Sequence, residues 1–476
     1  MKKKSHLIRF YFLILLAPFI TQGQGVANRL TLQECIQKAL SQNVEVKQSA
    51  VEVEGASVAL KQAKNDLLPN LNGVINHGIN QGRSIDPFTN AYANQQINYA
   101  EYALGSSVIL FNGARLKNTI QQNALAYDAT KMELQQTKDN ITINVILAYL
   151  QVLNNEELVV QAQIGANVTE QQIRRLEVLN SQGAISPPLL HDLKGQLMSD
   201  QLSVLKSKNA LATARLTLTQ LMNIPYDSTL VLEKTDETIS WEPETGNAAT
   251  VYEKALKNLA LIKAGELRRK SAEAAVKAVR GELFPTVSLN GNVNSNFSSA
   301  ARKDILLNSI FSPSSDYVIV NGSQIPVVAK KNNFASERIT YNSQLKNNLF
   351  TNINLGVRIP ILNGAQTRNR IQQAQLEVRR FELREESARI QLRQQVEQAS
   401  LSLKNAYEQY MVAQQQVAEY AESFRAAEVR FNSGVGTSVD YILVKNNVDR
   451  ANTNLVLAKY EFLLRQQVLH FYSREK

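Results

Sequence analysis

The sequence lacks both disulfide bonds and long apolar helices. Cys35 is the only cysteine among 476 residues, so no disulfide can form within one chain. Apart from a segment at the very start, no apolar stretch approaches the ~20 residues that a membrane-spanning helix needs. Besides the α-helix, a closed β-barrel is the backbone arrangement that satisfies all of its own hydrogen bonds in lipid. Any membrane portion of this chain would therefore have to be a barrel.

Motifs of catalysis and of nucleic-acid recognition are also missing. The four histidines are far apart in the sequence and show no metal-ligand spacing. There is no phosphate-binding loop, no dinucleotide fingerprint and no nucleophile elbow. Basic residues alternate with Glu and Gln and form no block with aromatic neighbours, which argues against a nucleic-acid partner. We therefore expect no enzyme activity, no catalytic residues, no cofactor and no metal.

The first 23 residues have the composition of a secretory signal peptide. Three lysines at positions 2 to 4 and Arg9 precede a short apolar segment over 10–20, and a small-residue cleavage candidate ends at Gly23. Four of the 52 basic residues and none of the 42 acidic ones lie there, so cleavage would lower the formal net charge from +10 to +6. An uncleaved anchor helix is the alternative, but the apolar segment is short for a bilayer span of ~20 residues.

The remainder of the chain is a tandem repeat. Asn112-Gly113-Ala114 recurs 251 residues later as Asn363-Gly364-Ala365, and the same offset relates Gly183 to Gly434. The segment between these anchors therefore has the same length in both halves. We predict a signal peptide over 1–23, a first structural repeat over 24–223, a connection over 224–249 and a second structural repeat over 250–476.

Each half contains two segments in which the apolar period changes from 3.6 to 2. From Val287 to Asn294, for example, apolar or small residues alternate with Ser and Asn. Strands of ~10 residues can cross a tilted bilayer, with the apolar face toward lipid and the polar face toward a water-filled lumen. A half-exposed soluble sheet is the alternative. We predict strands over 71–81, 101–111, 286–297 and 350–362, and polar loops over 82–99 and 298–348.

Long helices account for most of the remaining sequence. Each half begins with a helix, over about 31–66 and about 250–282, that ends before a proline. About 70 residues without proline follow Gly364, and apolar positions recur every three or four residues there, which predicts a coiled-coil helix of ~105 Å. Two helical hairpins then turn near 183 and near 434. A coiled-coil scaffold is the simplest alternative, but it leaves the strands unexplained.

The number of strands predicts an oligomer. The smallest membrane barrels have about eight strands and filled interiors, and open sheet edges do not occur in lipid. Two chains would give eight strands without a pore, whereas three give twelve with a lumen. The predicted fold is therefore mainly α with a β-barrel portion. It is a tandem-repeat α-helical coiled-coil barrel plus four transmembrane β-strands per chain, in a twelve-stranded barrel shared by a trimer.

This plan resembles the TolC-type outer-membrane factor family, the outer membrane efflux proteins. The resemblance covers nearly the whole mature chain. It rests on the duplicated order of elements and on the strand-to-helix junctions Phe111-Asn112-Gly113 and Leu362-Asn363-Gly364. It also rests on the second hairpin turn, where Arg430, Phe431, Gly434, Thr437 and Asp440 match the family's Arg-aromatic-x-x-Gly-x-x-Ser/Thr-x-x-Asp pattern.

The resemblance implies a homotrimer in the cell outer membrane, in contact with its lipid, whose helical tube reaches into the periplasm. It implies two further partners, a periplasmic adaptor (membrane fusion) protein and an inner-membrane efflux pump. The implied function is a passive duct of a tripartite efflux system that carries small molecules to the exterior. The alternatives are a type I secretion duct for polypeptides and, from another class, an exported coiled-coil structural protein without a pore.

The resemblance also places the hairpin turns at the periplasmic tip. The family often carries two acidic residues after each turn, and this chain keeps one at each, Asp192 and Asp440, which become candidates for the periplasmic aperture. Helix capping is the alternative for Asp440, because Thr437-x-x-Asp440 has the spacing of a capping box. The adaptor-contact residues that the resemblance implies are Gly183, Ala184, Gly434, Val435, Gly436 and Thr437.

Overall fold

The computed structural model covers most of the chain, and helices dominate it. The predicted signal peptide over 1–23 lies outside the described residues, and so does the middle of the connection predicted over 224–249. The structure describes residues 29–85, 90, 92–94, 96–234 and 247–473.

Apart from one additional short helix in the second half, the helices fall into the same order in both halves of the chain. In the part of the chain that the structure describes, no helix contains a stretch apolar enough to cross a membrane. The helices are α1 (Leu32–Gln42), α2 (Val44–Asn65), α3 (Arg115–Ser181), α4 (Pro187–Leu221), α5 (Ala248–Asn258), α6 (Ala260–Arg280), α7 (Tyr341–Asn347), α8 (Gln366–Asn432) and α9 (Ser438–Ser473).

The first helix of each half is broken, where the sequence predicted continuous helices over about 31–66 and 250–282. α1 starts as expected at an N-cap, with the Thr31 hydroxyl accepting a hydrogen bond from the Glu34 amide at 3.2 Å. Asn43 then separates α1 from α2 with an extended ψ of 130°, and Leu259 separates α5 from α6 with ψ of 133°. A one-residue break hardly alters the apolar spacing, so periodicity could not reveal it.

The two long helices have the same length. α3 and α8 each contain 67 residues, and they start 251 positions apart. At 1.5 Å per residue, each is about 100 Å long. Both follow an Asn-Gly-Ala junction in which glycine and alanine have positive φ, 64° and 60° before α3 and 59° and 61° before α8. The duplicated tripeptide therefore marks one backbone conformation used twice.

Four antiparallel strands form one sheet in the order β1-β4-β5-β8, and each further pair of strands forms a separate hairpin. β1 and β8 are each paired on one side only, so the sheet has two free edges. The strands are β1 (Asn70–Asn80), β2 (Arg83–Ile85), β3 (Tyr92–Asn94), β4 (Ile97–Phe111), β5 (Thr286–Ser298), β6 (Arg302–Val320), β7 (Ser323–Arg338) and β8 (Phe350–Arg358).

The two faces of the four-stranded sheet differ in polarity, as the alternating sequence predicted. On the polar face, Asn76 donates to Glu101 at 3.1 Å, Ser107 donates to Asn290 at 2.8 Å, and Asn290 donates to Asn354 at 3.2 Å. The strand register places most of the apolar side chains on the opposite face, although Val74 and Phe350 share the polar face. That apolar face carries Leu71, Ile75, Ile79, Tyr102, Leu104, Leu289, Val293, Ile353, Leu355 and Val357.

The loop predicted over 298–348 is instead largely a β-hairpin. β6 and β7 pair from Arg302 opposite Arg338 to Val320 opposite Ser323, with two irregularities. Asn321 and Gly322 form the turn, with φ of 50° and 80°. Positive φ at both positions is the type I′ geometry for which Asn-Gly is the strongest short-range signal. The prediction of a polar loop did not use this signal, although apolar residues such as Val318-Ile319-Val320 flank the turn. β2 and β3 likewise form a short hairpin within the loop predicted over 82–99.

The described chain divides into two compact units. The first comprises the described parts of Met1–Val44, Asp139–Asn247 and Ala399–Phe471, and the second comprises the described parts of Glu45–Lys138, Ala248–Gln398 and Tyr472–Lys476. The second unit therefore contains all eight strands, and the first contains both helical-hairpin turns.

Each unit is held by its own polar contacts. In the first, the buried Tyr149 hydroxyl donates to the carbonyl oxygens of Leu30 (3.2 Å) and Glu233 (2.5 Å). In the second, the Arg268 guanidinium binds both carboxylate oxygens of Glu133, at 2.8 and 2.6 Å. Such two-point pairs of Arg with a carboxylate fix helix register as well as attracting charge.

Candidate functional site at the helical-hairpin turns

Both helical hairpins turn through a glycine with a left-handed backbone. Gly183 has φ of 69° and Gly434 has φ of 78°, a region that glycine adopts without steric cost. The residue after each glycine donates its amide to the carbonyl oxygen five residues back, at 2.9 Å in the first turn and 3.1 Å in the second. These bonds define Schellman motifs, which end a helix sharply. The two turns are therefore built in the same way.

The second return helix is capped as the Thr437-x-x-Asp440 spacing indicated. The Asp440 amide donates to the Thr437 hydroxyl at 3.1 Å, so Thr437 is the N-cap of α9. Asp440 lies in the first turn with an exposed side chain, where the helix dipole favours a negative charge. In the first hairpin, Ser186 is the N-cap of α4 and Pro187 its first residue, without a side-chain capping bond.

Asp192 contacts the other hairpin. The hydroxyl of Ser438 donates to Asp192 Oδ2 at 3.0 Å, and Ser438 is only 6% exposed. Because Ser438 is the first residue of α9, the Asp192 carboxylate lies beside the positive end of that helix. The two candidate aspartates thus differ: Asp192 joins α4 to α9, and Asp440 faces outward.

An aromatic cluster packs behind the turns. The rings of Phe431 and Tyr441 stack at 4.8 Å between centroids, and Phe424 meets Tyr441 at 5.5 Å. The Tyr441 hydroxyl is buried and has no hydrogen-bond partner among the described residues. Burial, together with nearby carboxylates, raises the pKa of Tyr441 well above its ordinary value. The buried members of this cluster are Ile173, Leu176, Leu190, Leu193, Phe431 and Tyr441.

A buried ionic cluster lies next to the aromatic residues and joins three helices. Lys445 of α9 has a side chain only 2% exposed, and its ammonium group contacts Asp200 of α4 at 2.9 Å and Asp449 at 2.5 Å. The hydroxyl of Thr169, on α3, also donates to Asp200. Two carboxylates around one ammonium leave a formal charge of −1, and of the two side chains Asp200 is only 10% exposed whereas Asp449 is 37% exposed.

Further polar groups complete the coordination of this ionic cluster. Gln196 donates to Asp200 at 2.8 Å and to Asn446 at 3.0 Å. Gly165 makes room for the second carboxylate, because a Cβ atom there would lie 3.2 Å from Asp449 Oδ2. Burial raises the pKa of Asp449, although its hydrogen bond to Lys445 acts in the opposite direction. Such a cluster is strongly destabilised by removal of a single partner.

Sequence reasoning identified the turns but missed the ionic cluster. Lys445 lies three residues before Val448 and four after Tyr441, so it continues the apolar seam of α9 as a charged residue. A lysine at a seam position is a usable signal of a buried ion pair, but the sequence does not show that Asp200 lies opposite. Interhelical register, set by both hairpin turns, determines that pairing.

The turns themselves expose apolar and small residues. Val435 is 75% exposed and Val439 is 69% exposed. No side chain within 4 Å would meet a Cβ atom added at Gly183 or Gly434, so both turns present open backbone. In the part of the chain that the structure describes, no group of three His, Cys, Asp or Glu residues could hold a metal ion.

Solved structures of similar fold are outer-membrane channels. VceC, an outer membrane protein from Vibrio cholerae, matches with a TM-score of 0.73 at 13% identity, over 93% of this chain and 96% of that one. The CmeC outer membrane channel of Campylobacter jejuni matches with 0.72 at 16% identity, over 93% and 85%. The MtrE outer membrane channel of Neisseria gonorrhoeae, solved in its open state, matches with 0.69 at 16% identity, over 93% and 88%.

Comparisons of the sequence agree with the comparisons of structure. A comparison with curated protein sequences gives no match. The model of the outer membrane efflux protein family, however, matches residues 35–223 and 251–472. These two segments correspond to the two halves of the tandem repeat and cover most of the chain. The chain is therefore a member of the outer membrane efflux protein family.

Proposed function

We propose that this chain is the outer-membrane channel of a tripartite efflux system. It would act as a passive duct that carries small molecules from an inner-membrane pump and a periplasmic adaptor to the exterior. The observation that carries the proposal is the open four-stranded sheet. Its apolar face is exposed, with Ile75 at 73% and Ile353 at 75%, and its opposite face is lined with Asn and Ser.

The free edges of that sheet support a shared barrel. β1 and β8 each leave one row of backbone groups unpaired, which lipid does not tolerate. Three copies with their edges joined give twelve strands, enough for a lumen, whereas two copies give about the size that side chains fill. The apolar face then meets lipid and the Asn-rich face lines the water-filled interior. This arrangement supports the proposal of a homotrimer in the outer membrane.

The long helices support a duct that extends well beyond the membrane. α3 and α8 are each about 100 Å long by the rise of an α-helix, several times the thickness of a hydrocarbon core of ~30 Å. In a trimer their coiled-coil faces would pack into a tube in the periplasm. Membership of an efflux family and likeness to channels support transport, without any chemical step, as the activity of this chain.

The hairpin turns would contact the periplasmic adaptor. The proposed contact residues are Gly183, Ala184, Gly434, Val435, Gly436 and Thr437. All are exposed except Gly436, which is half-buried, and Val435 adds one large apolar side chain, so another helical tip can approach this surface closely. A cysteine at Val435 should crosslink to the adaptor in intact cells. A cysteine at Leu401, exposed on helix α8 and more than thirty residues before the turn, is the matched control. Crosslinking from both positions, or from neither, would contradict docking at the turn.

The trimeric barrel can be tested through the two faces of β8. Ile353→Asp places a charge on the apolar face and should reduce membrane insertion, because a charge facing the bilayer centre is unfavourable in each copy, by about 2–4 kcal/mol for a basic residue and less for an acidic one. Asn354→Asp adds the same charge on the polar face of the same strand and should leave insertion and trimer mass unchanged. The measurement is the amount of protein in the outer-membrane fraction and its mass by light scattering. Equal insertion of both variants would contradict the proposed orientation.

A further inference from the structure

The short helix α7 lies on the apolar face of the four-stranded sheet. The hydroxyls of Tyr341 and of Tyr102, in β4, share a hydrogen bond of 2.5 Å, and the Tyr341 ring is 4.8 Å from that of Phe297 in β5. The Ser295 hydroxyl donates to the Leu345 carbonyl oxygen at 2.8 Å. Tyr102 pairs opposite Ser295, and Phe297 follows two residues later, so these three strand residues share one face. α7 therefore covers the apolar face at one end of the sheet.

The side chain of Gln344 fixes α7 at this level of the sheet. It is 1% exposed, and its Oε1 accepts a hydrogen bond from the Ser298 amide at 2.9 Å. Its Nε2 donates to the carbonyl oxygens of Ser298 and Ile339, each at 2.9 Å. These bonds join the helix to the last residue of β5, where the β6–β7 hairpin also begins.

The outward surface of α7 is polar, unlike the sheet face beneath it. Asn342, Ser343, Lys346 and Asn347 are all exposed. Charged and amide side chains are unfavourable in hydrocarbon. The barrel proposed above, on which this inference rests, turns the apolar face toward lipid. The hydrocarbon would then have to end below α7.

The strand length below α7 matches the thickness of the hydrocarbon. β8 has nine residues, and its first, Phe350, pairs opposite Asn294, one residue before the contact of β5 with α7. Nine residues extend about 30 Å at ~3.3 Å each, which is about 23 Å along the membrane normal at a tilt of ~40°. Outer-membrane barrels have an apolar band of ~25 Å bordered by aromatic residues. The ring cluster of Tyr102, Phe297 and Tyr341 occupies that border.

The base of the β6–β7 hairpin adds positive charge beside α7. Arg302 pairs directly opposite Arg338, which precedes α7 by three residues. Like charges directly opposite each other on adjacent strands are unfavourable, so an anion beside them would be stabilising. Among the described residues, neither arginine forms an ion pair, and neither does Lys346.

The acidic residues nearby do not cancel this charge. Glu337 pairs with Lys303 at 3.5 Å, so Asp304 remains against three basic side chains. We propose that α7 and the hairpin base form an interfacial anchor: α7 lies at the headgroup level of the outer leaflet, and Arg302, Arg338 and Lys346 bind anionic lipid headgroups. Guanidinium groups suit this role because they bind two phosphate oxygens at once.

The depth of α7 can be measured with tryptophan and brominated lipids. Trp241 is the only tryptophan, so Trp241→Phe provides a background for single reporters in the full-length protein, reconstituted in vesicles. Asn342→Trp reports on α7, and Leu355→Trp, exposed on the apolar face near the middle of β8, is the matched control. We expect bromine near the headgroup to quench Asn342→Trp most strongly, and bromine deep in the acyl chain to quench Leu355→Trp most strongly.

The two reporters distinguish failure of the anchor from failure of the barrel. Quenching of Leu355→Trp without any quenching of Asn342→Trp would place α7 outside the membrane and overturn the anchor alone. Equally deep quenching of both would place α7 in hydrocarbon and also overturn it. No quenching of Leu355→Trp would contradict the proposed barrel orientation and, with it, the anchor.

The preference for anionic headgroups has its own test. Brominated phosphatidylglycerol should quench Asn342→Trp more than brominated phosphatidylcholine at equal mole fraction, with an affinity at least about fivefold higher, as one basic side chain near an anionic surface would give. Arg338→Gln with Lys346→Gln should abolish most of this preference. Lys330→Gln with Lys331→Gln removes the same charge seven to eight residues away along β7 and should preserve it. Equal quenching by the two lipids, or equal loss in both double variants, would overturn headgroup binding at the anchor.

Discussion

Lys445 shows at the scale of a single residue how the hairpin region is stabilised. Its ammonium group is almost completely removed from water and contacts two carboxylates, on two helices. Lys445→Met would remove the cation from both carboxylates, and Asp200, which is only 10% exposed, would become an unpaired buried charge. We expect a loss of about 3–5 kcal/mol of folding stability, measured as the shift in unfolding under denaturant.

The control for this prediction is an exposed lysine. Lys404 pairs with Glu408 at 3.9 Å, and both side chains are more than half exposed. Lys404→Met should therefore change stability by no more than about 1 kcal/mol. Similar effects of the two substitutions would show that the buried cluster does not hold the helices together.

Glycine substitutions can distinguish the cost of backbone strain at the turns from the cost of steric crowding. Gly434→Ala places a Cβ atom in open space but on a backbone with φ of 78°, so it should cost about 1–2 kcal/mol through strain alone. Gly195→Ala, inside α4 and also in open space, should instead stabilise the protein by about 0.5–1 kcal/mol, because alanine favours a helix. Thermal unfolding of both variants measures the difference, and a stabilising Gly434→Ala would refute the turn geometry.

At the scale of elements, the β6–β7 hairpin is separate from the four-stranded sheet. Its ends lie together, since Arg302 pairs opposite Arg338, and it shares no ladder with β5 or β8. Replacement of 303–337 by a short Gly-Ser linker should therefore leave the trimer and its membrane insertion intact. Light scattering and outer-membrane fractionation measure this. Loss of assembly would mean that the hairpin is part of the contact between copies.

The sequence predicts some elements well because their signals are local. The 251-residue offset predicted the equal lengths of α3 and α8. The alternation of Asn with apolar residues predicted which side chains of β1 and β8 share a face. The breaks at Asn43 and Leu259 give no such signal, because each involves one residue. The Asn321-Gly322 turn does give a local signal, since Val318-Ile319-Val320 precede it, and the prediction of a polar loop did not use that signal.

The candidate site is less predictable for a physical reason. A left-handed backbone favours glycine, and each turn has such a glycine, so the sequence alone locates the turns. The pairing of Asp192 with Ser438, and of Asp200 with Lys445, joins positions 246 and 245 residues apart. Those contacts depend on the register of α4 against α9, which no local pattern encodes.

At the scale of the whole molecule, the duct would carry acidic residues near its periplasmic end. Asp192 and Asp440 lie beside the turns, and three copies would bring three of each to the aperture. A ring of carboxylates favours cations in a pore. The double variant Asp192→Ala and Asp440→Ala should lower the preference for potassium over chloride, measured as a reversal potential in a salt gradient.

The control for ion selectivity is an acidic residue that lies away from the turns. Glu422 is exposed on α8 and pairs with Arg425, so Glu422→Ala should leave the reversal potential unchanged. Unaltered selectivity in the aspartate variant would assign both aspartates to helix capping and helix contact alone.

Single-channel conductance in a planar lipid bilayer tests the central claim most directly. The purified full-length protein, shown to be trimeric and folded, is added to one side of the membrane under voltage. Discrete, long-lived conductance steps are the predicted result, because a twelve-stranded barrel leaves a water-filled lumen. Reproducible absence of steps from folded protein would contradict the channel and favour an exported coiled-coil protein without a pore.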